Sequence, residues 1–275
     1  TNTISSQNEE AVYFEMRNTM RLMYDNSSVS LNGINVDSNS LDTSSSTDPA
    51  LEISIHSWME LNNYSSIVFD GLYVTNNEVN GNVSGMNMSL YDVPMDIGPN
   101  NVIIGDDFYI DGNTIEADKT GLGINWGSPH LGGMQPYFLI EDTTIIGSSS
   151  ANSIGLYMNN VNDSYLNNVD VSNYDKGVYL ENTTVQEYMN GTISGTTIYS
   201  FNLTEDSDVY TINTTFDETQ VIFMDNESLL EVAWYMHVSV ETTIGYPVKD
   251  ADVVVSDTYG TEEIGRASCR ERVYC

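Results

Sequence analysis

Apolar and polar residues alternate along most of this chain, in short runs punctuated by Asn, Asp and Gly. The run SSVSLNGINVDSN, Ser27 to Asn39, aligns without a gap on SSIVFDGLYVTNN, Ser65 to Asn77. Both read apolar-x-apolar, an Asn or Asp, a Gly, then apolar-x-apolar. Variants return as VIIGDDFYIDGN from Val102, FLIEDTTIIG from Phe138 and YLNNVDVSN from Tyr165. Weaker copies are YMNGTISG from Tyr188 and TINTTFD from Thr211. With Leu31, Phe69, Ile104, Ile140, Leu166, Met189 and Ile212 taken as equivalent, the intervals are 38, 35, 36, 26, 23 and 23. A second short strand segment lies between the later copies: GLYM at Gly155, GVYL at Gly177, TIYSF at Thr197 and VIFM at Val221.

Alternation of period 2 marks strands with one buried face. A single rung of this length cannot bury its apolar side alone, so copies must stack, about 4.8 Å apart, around a shared interior. Asn and Asp tolerate left-handed backbone and can hydrogen-bond along the stack, which suits them to the corners. Short strands at regular spacing also fit a β-sandwich, but a sandwich has no reason to lock one phrase to a 23-residue interval. The expectation is an all-β chain with a parallel β-helix over 1–231. From Val232 the pattern changes to a long alternating strand (Trp234, Met236, Val238, Val240), a Gly-Tyr-Pro turn at Gly245 and a strand at Val253 to Val255. Residues 232–262 therefore read as a separate strand-rich segment, which the resemblance given below makes the truncated start of a β-sandwich, and 263–275 as a separate tail.

Three resemblances sharpen this. The rung SYLNNVDVSNYDKGVYLENTTV, from Ser164, resembles the right-handed parallel β-helix repeats of the pectate-lyase-like superfamily. It is closer to the Asn-rich, copper-binding-protein-like (NosD-type) and surface-protein branches than to the classical pectinases. The likeness spans Ala11 to Leu230 and implies a fold rather than an activity, because this scaffold carries many unrelated sites. GYPVKDADVVVSDTYG, from Gly245, resembles the opening of immunoglobulin-like or carboxypeptidase-regulatory-like sandwiches that follow β-helices in large secreted proteins. Finally, IGRASCRERV, Ile264 to Val273, resembles a translated sequencing-library adapter. The tail from Glu263 holds both cysteines, Cys269 and Cys275, and three of the eight basic residues of the chain. On that reading the native part has no cysteine for a disulfide or thiolate site. Its charge without Arg266, Arg270, Arg272, Glu263 and Glu271 becomes −33 instead of −32, and the protein is expected to be a fragment.

A charge of −32 argues against nucleic acid, whose phosphates need clustered Lys and Arg, and against an anionic membrane surface. No run approaches the 18 apolar residues of a membrane-spanning helix. The many carboxylates suit divalent cations, calcium above all. Asn-x-Ser/Thr sequons at Asn26, Asn63, Asn82, Asn87, Asn162, Asn182, Asn190, Asn202, Asn213 and Asn226 fit a glycosylated, secreted or cell-surface protein.

The most site-like stretch is GDDFYIDGNTIEADKTGLGINWGSPHLGGMQPYF, Gly105 to Phe138. The early repeats are longer than the late ones and are expected to send loops out of the stack, where solenoids place their binding sites. Trp126 could stack on a sugar ring beside His130, and Asp106, Asp107 and Asp111 could hold calcium. Equally, Trp126 could cover the core and the aspartates could be corner or solvent residues. As a catalytic pair, Asp106 and Asp107 imitate the carboxylates of inverting glycoside hydrolysis, yet adjacent strand residues face opposite ways and can share a site only at a corner. The superfamily resemblance implies a basic proton-abstracting residue for a lyase, or Gly-His-Gly and Arg-x-Lys segments for a hydrolase. Only Arg17, Arg21, Lys119, Lys176 and Lys249 are available outside the tail, unclustered, and neither segment occurs. Copper would want His, Met or Cys. The three His are scattered, at His56, His130 and His237, and the 12 Met, Met86 and Met88 among them, are expected to fill rung interiors. The expected role is structural, adhesive or carbohydrate-binding, on a polysaccharide or cell-surface glycan. The alternative is a polysaccharide-degrading hydrolase or lyase.

Overall fold

The computed structural model describes residues 2–7, 9–22, 28–61, 66–92, 96–97, 102–126, 137–236, 251–256, 262–267 and 273–274. Each turn of chain lays down three strands, one in each of three parallel sheets. The first sheet has seven short strands: Asn2–Ser6, Asn39–Thr43, Glu78–Gly81, Thr114–Ala117, Thr144–Ile146, Asp170–Ser172 and Thr192–Ser194. The second runs through Val12–Leu22, Pro49–Leu61, Ser84–Asp92, Thr120–Trp126, Ile154–Asn159, Lys176–Glu181, Tyr199–Thr204 and Val221–Phe223, with Asp96–Ile97 beside it. The third runs through Ser28–Asp37, Ser66–Thr75, Val102–Asp111, Phe138–Glu141, Ser164–Asn167, Thr184–Met189, Asp208–Ile212 and Leu229–Ala233. Every strand in these sheets pairs in parallel with the equivalent strand of the next coil, which makes the fold a right-handed parallel β-helix.

Alternation sends one set of side chains inward, and register stacks them into columns. Leu41, Val79, Ile115, Ile145, Val171 and Ile193 form the column of the first sheet. Met86 and Met88 line up with Leu122 and Ile124, then with Leu156 and Met158, in the second. All of these residues are buried. Met86, Met88 and Met158 thus fill rung interiors, as their flexible thioethers allow, whereas Met224 is exposed. In the third sheet Phe108 and Phe138 stack at 4.7 Å with 16° between their planes.

The corners carry their own ladders. Where the third sheet passes into the first, Ser38, Asn76, Gly112, Asp142, Asn168, Asn190 and Asn213 all adopt positive φ, between 43° and 65°. Where the second passes into the third, hydroxyls take over. The amide of Val161 donates to Thr183 Oγ1 at 3.2 Å, that of Thr183 to Ser207 Oγ at 3.1 Å, and that of Ser207 to Ser228 Oγ at 2.9 Å.

Register corrects three details of the expected repeat. Phe69 lies opposite Gly105 rather than Ile104, and Leu166 opposite Tyr188 rather than Met189. The second slip has a visible cause: pairing jumps from Ser164–Val185 to Tyr165–Glu187, so the later strand carries an extra, bulged residue. Ile140 sits in the column of Val74 and Ile110, not in that of Phe69. The stretch from Gly105 to Trp126, expected to project as a loop, instead supplies strands to all three sheets. Beyond the helix, Ala251–Ser256 pairs antiparallel with Glu262–Ala267, and Tyr235–Met236 with Val273–Tyr274.

Candidate functional site

The outward face of the first sheet forms a groove of about 490 Å³. In the strands that line it, Leu41, Val79, Ile115 and Ile145 point inward and the residues on either side turn outward. Asp42, Asn80, Glu116 and Ile146 are register partners in successive coils and run along the groove. Glu78 adds a carboxylate from the neighbouring column. The turns toward the second sheet supply Thr43, Ser44, Asn82, Asp118 and Ser148. One wall is braced by Asn82, whose backbone amide donates to the Thr43 carbonyl at 3.1 Å and whose side chain donates to the Ser45 carbonyl at 3.3 Å. Four carboxylates, two amides and the hydroxyls of Ser44 and Ser148 thus line one trough, a set that accepts and donates hydrogen bonds densely under a negative potential. Among the described residues no group of three His, Cys, Asp or Glu is arranged to hold a metal ion.

The groove depends on tight packing beneath it. Gly85, Gly121, Gly155 and Gly177 stack at the start of the second-sheet strands, just past the turns that form the groove wall. A Cβ on Gly121 would come within 2.2 Å of the Ile145 side chain and 2.6 Å of the Gly155 carbonyl. Tyr174 fills the corner these glycines leave, fully buried, its hydroxyl donating to the Ile146 carbonyl at 2.9 Å. Burial raises that phenol above its usual range.

The residues singled out from sequence fall elsewhere. Asp106 and Asp107 are consecutive within the unbroken strand Val102–Asp111, with Asp106 opposite Asp70. Their side chains lie outside those the structure describes. Asp111 closes the same strand, between Thr75 and Glu141 of the adjacent coils. Burial, then the charges of Asp142 and Glu141, push its carboxyl up. Trp126 is only 5% exposed and meets Phe108 and Phe138 edge-on, at 5.9 and 6.0 Å. Its indole is a core group, covered where a sugar would stack. His130 lies outside the described residues, as do Asn26 and Asn63. Of the other sequons, Asn82, Asn182, Asn190, Asn213 and Asn226 are exposed, and Asn87 and Asn162 half-buried. Asn202 is 6% exposed, which closes it to a modifying enzyme once the coil has formed.

Outward tyrosines also form ladders, but Tyr73 and Tyr109 stack face to face at 5.3 Å and 5°, so each hides a face of the other. The groove of the first sheet is the better site. Sequence reasoning missed it because Asp42, Glu78, Glu116 and Asp118 are dispersed along the chain; only the register of the short strands gathers them.

Compared with known proteins, this chain matches no family model, no curated protein and no solved structure. Fold and groove therefore define it: a right-handed parallel β-helix with an acidic trough along its narrowest sheet.

Proposed function

We propose that this chain is the β-helical part of a secreted or cell-surface protein and that it holds a glycan along the groove of the first sheet. The observation that carries this reading is the groove itself, lined by polar residues from four successive coils. An extended polymer laid along the stack meets carboxylates from three of these coils together with amides and hydroxyls, and these are the partners that sugar hydroxyls use. The charge of the trough selects among glycans. Uronate polymers are repelled, whereas neutral or amino sugars are accepted, the latter with added electrostatic attraction.

The test is binding of the full chain to an array of neutral, amino and uronic polysaccharides, followed by titration of the best ligand. Glu78→Gln and Glu116→Gln together preserve shape and are expected to weaken an amino-sugar polymer roughly tenfold. Absence of binding to every polysaccharide would leave a spacer role. Release of reducing ends or unsaturated products in the same mixtures would favour the hydrolase or lyase alternative.

A further inference from the structure

The core of the coil stack comes to the surface at its C-terminal end. Leu180 and Leu203 are fully buried, while Phe223, next in their column, is 45% exposed. In the third sheet Thr211 is fully buried and its partner Val232 is 42% exposed. Met224, Leu229, Trp234 and Tyr235 extend this apolar surface. Of the ten large hydrophobic side chains exposed among the described residues, eight fall between Ile198 and Tyr235, so the exposure belongs to one end. Among the described residues Val221–Phe223 and Leu229–Ala233 are also the last strands of their sheets, each with no strand beside one edge. Bare apolar surface and free strand edges together call for a cover.

We propose that this end is the docking surface for the chain's own next segment, residues 237–256. Continuity favours it: the chain leaves the last coil at Ala233 and passes through the exposed Trp234 and Tyr235. The sequence that follows alternates apolar residues at Val238 and Val240 and resumes with Val253, Val254 and Val255. A segment tethered at the patch also has a high effective concentration there. The competing occupant, a second copy, must bring one chain of charge −32 against another.

Amide hydrogen exchange on the full chain, read by mass spectrometry, tests this. Peptides from 221–233 and from 237–256 are expected to be protected together. Phe223→Asp with Val232→Asp is expected to speed exchange in 237–256 at least tenfold while peptides from Ser84 to Ile193 keep their protection. If that variant loses protection throughout, Val232→Thr alone gives the same readout with a smaller disturbance. Free exchange of 237–256 in the unaltered chain overturns the proposal, as does indifference of that segment to either variant. Light scattering that shows a dimer, with protection of 221–233 lost on dilution, assigns the surface to a second copy and overturns it as well.

Discussion

Asn113 shows at the scale of one residue how the corners hold. It is 1% exposed, and its Oδ1 accepts from the backbone and side-chain amides of Asn77 at 2.9 and 3.1 Å. Its own Nδ2 donates to the carbonyls of Val74 and Asp111 at 2.7 and 3.1 Å. Asn77 repeats the pattern one coil earlier, accepting from the Asn39 amide at 3.0 Å and donating to the Val36 carbonyl at 2.8 Å. Each amide therefore satisfies backbone groups of the adjoining coil that water cannot reach. Asn113→Ala strands the Asn77 amide and the Val74 carbonyl, and is expected to cost about 2–4 kcal/mol. A fall in the midpoint of urea unfolding at unchanged slope checks this; a midpoint within experimental scatter of the parent contradicts it. This much was legible in the sequence, because Asn and Asp recur at the ends of the alternating runs and are the residues that accept left-handed corners.

At the scale of elements, the third sheet was readable and the first was not. A ten-residue strand such as Ser66–Thr75 is long enough for apolar and polar residues to alternate several times and announce the period. Three-residue strands such as Thr144–Ile146 and Asp170–Ser172 bury a single apolar residue each, too little to show any period. The groove was invisible for the same reason. Trp126 misled because an aromatic among glycines reads like a binding loop, whereas Gly121, in the same strand, is there because the neighbouring chain leaves no room for a Cβ. Gly155 makes the point: a Cβ there would lie 2.2 Å from Val171 Cγ1 and 2.8 Å from the Gly177 carbonyl oxygen. Backbone on one side and a core side chain on the other leave no room to yield. Gly155→Ala is expected to destabilise the chain by about 2 kcal/mol or more. Gly123, in the adjacent coil and two residues beyond the crowded Gly121, has its nearest neighbour at 3.1 Å, the Asn87 Oδ1. Gly123→Ala is expected to be neutral or to stabilise by about 0.5 kcal/mol, through the unfolded chain. Equal losses in thermal unfolding for the two variants would refute the crowding account.

For the whole molecule the governing quantity is a charge of −32 wound into a narrow stack. Its carboxyls divide into two groups. Burial comes first in raising Asp208, with Asp206 next to it, and likewise in raising Asp111 and Glu52, the latter also facing Glu10 and Asp48. In these the fold disfavours the ionised form, so the penalty is complete above the folded value and is relieved as pH falls through it. Asp175 goes the other way, held down by the Thr197 hydroxyl and the Asn152 amide, as Asp37 is by Thr75 and Asn76. Their contribution is present above the unfolded value and is lost as pH falls through the lowered folded one. Stability is therefore expected to rise as pH falls from neutrality through the raised folded values, and to fall once pH drops below the ordinary carboxylate range, where the lowered group takes up protons. Salt separates this local account from general repulsion. Screening acts on the summed negative field, so 1 M sodium chloride should raise the melting temperature at pH 7. Near pH 4.5 many carboxylates are already neutral, and the same addition should raise it by less. Melting curves followed by circular dichroism at both pH values and both salt concentrations decide the matter. A salt increment as large at pH 4.5 as at pH 7 would mean that the carboxylates along the stack are not what limits its stability.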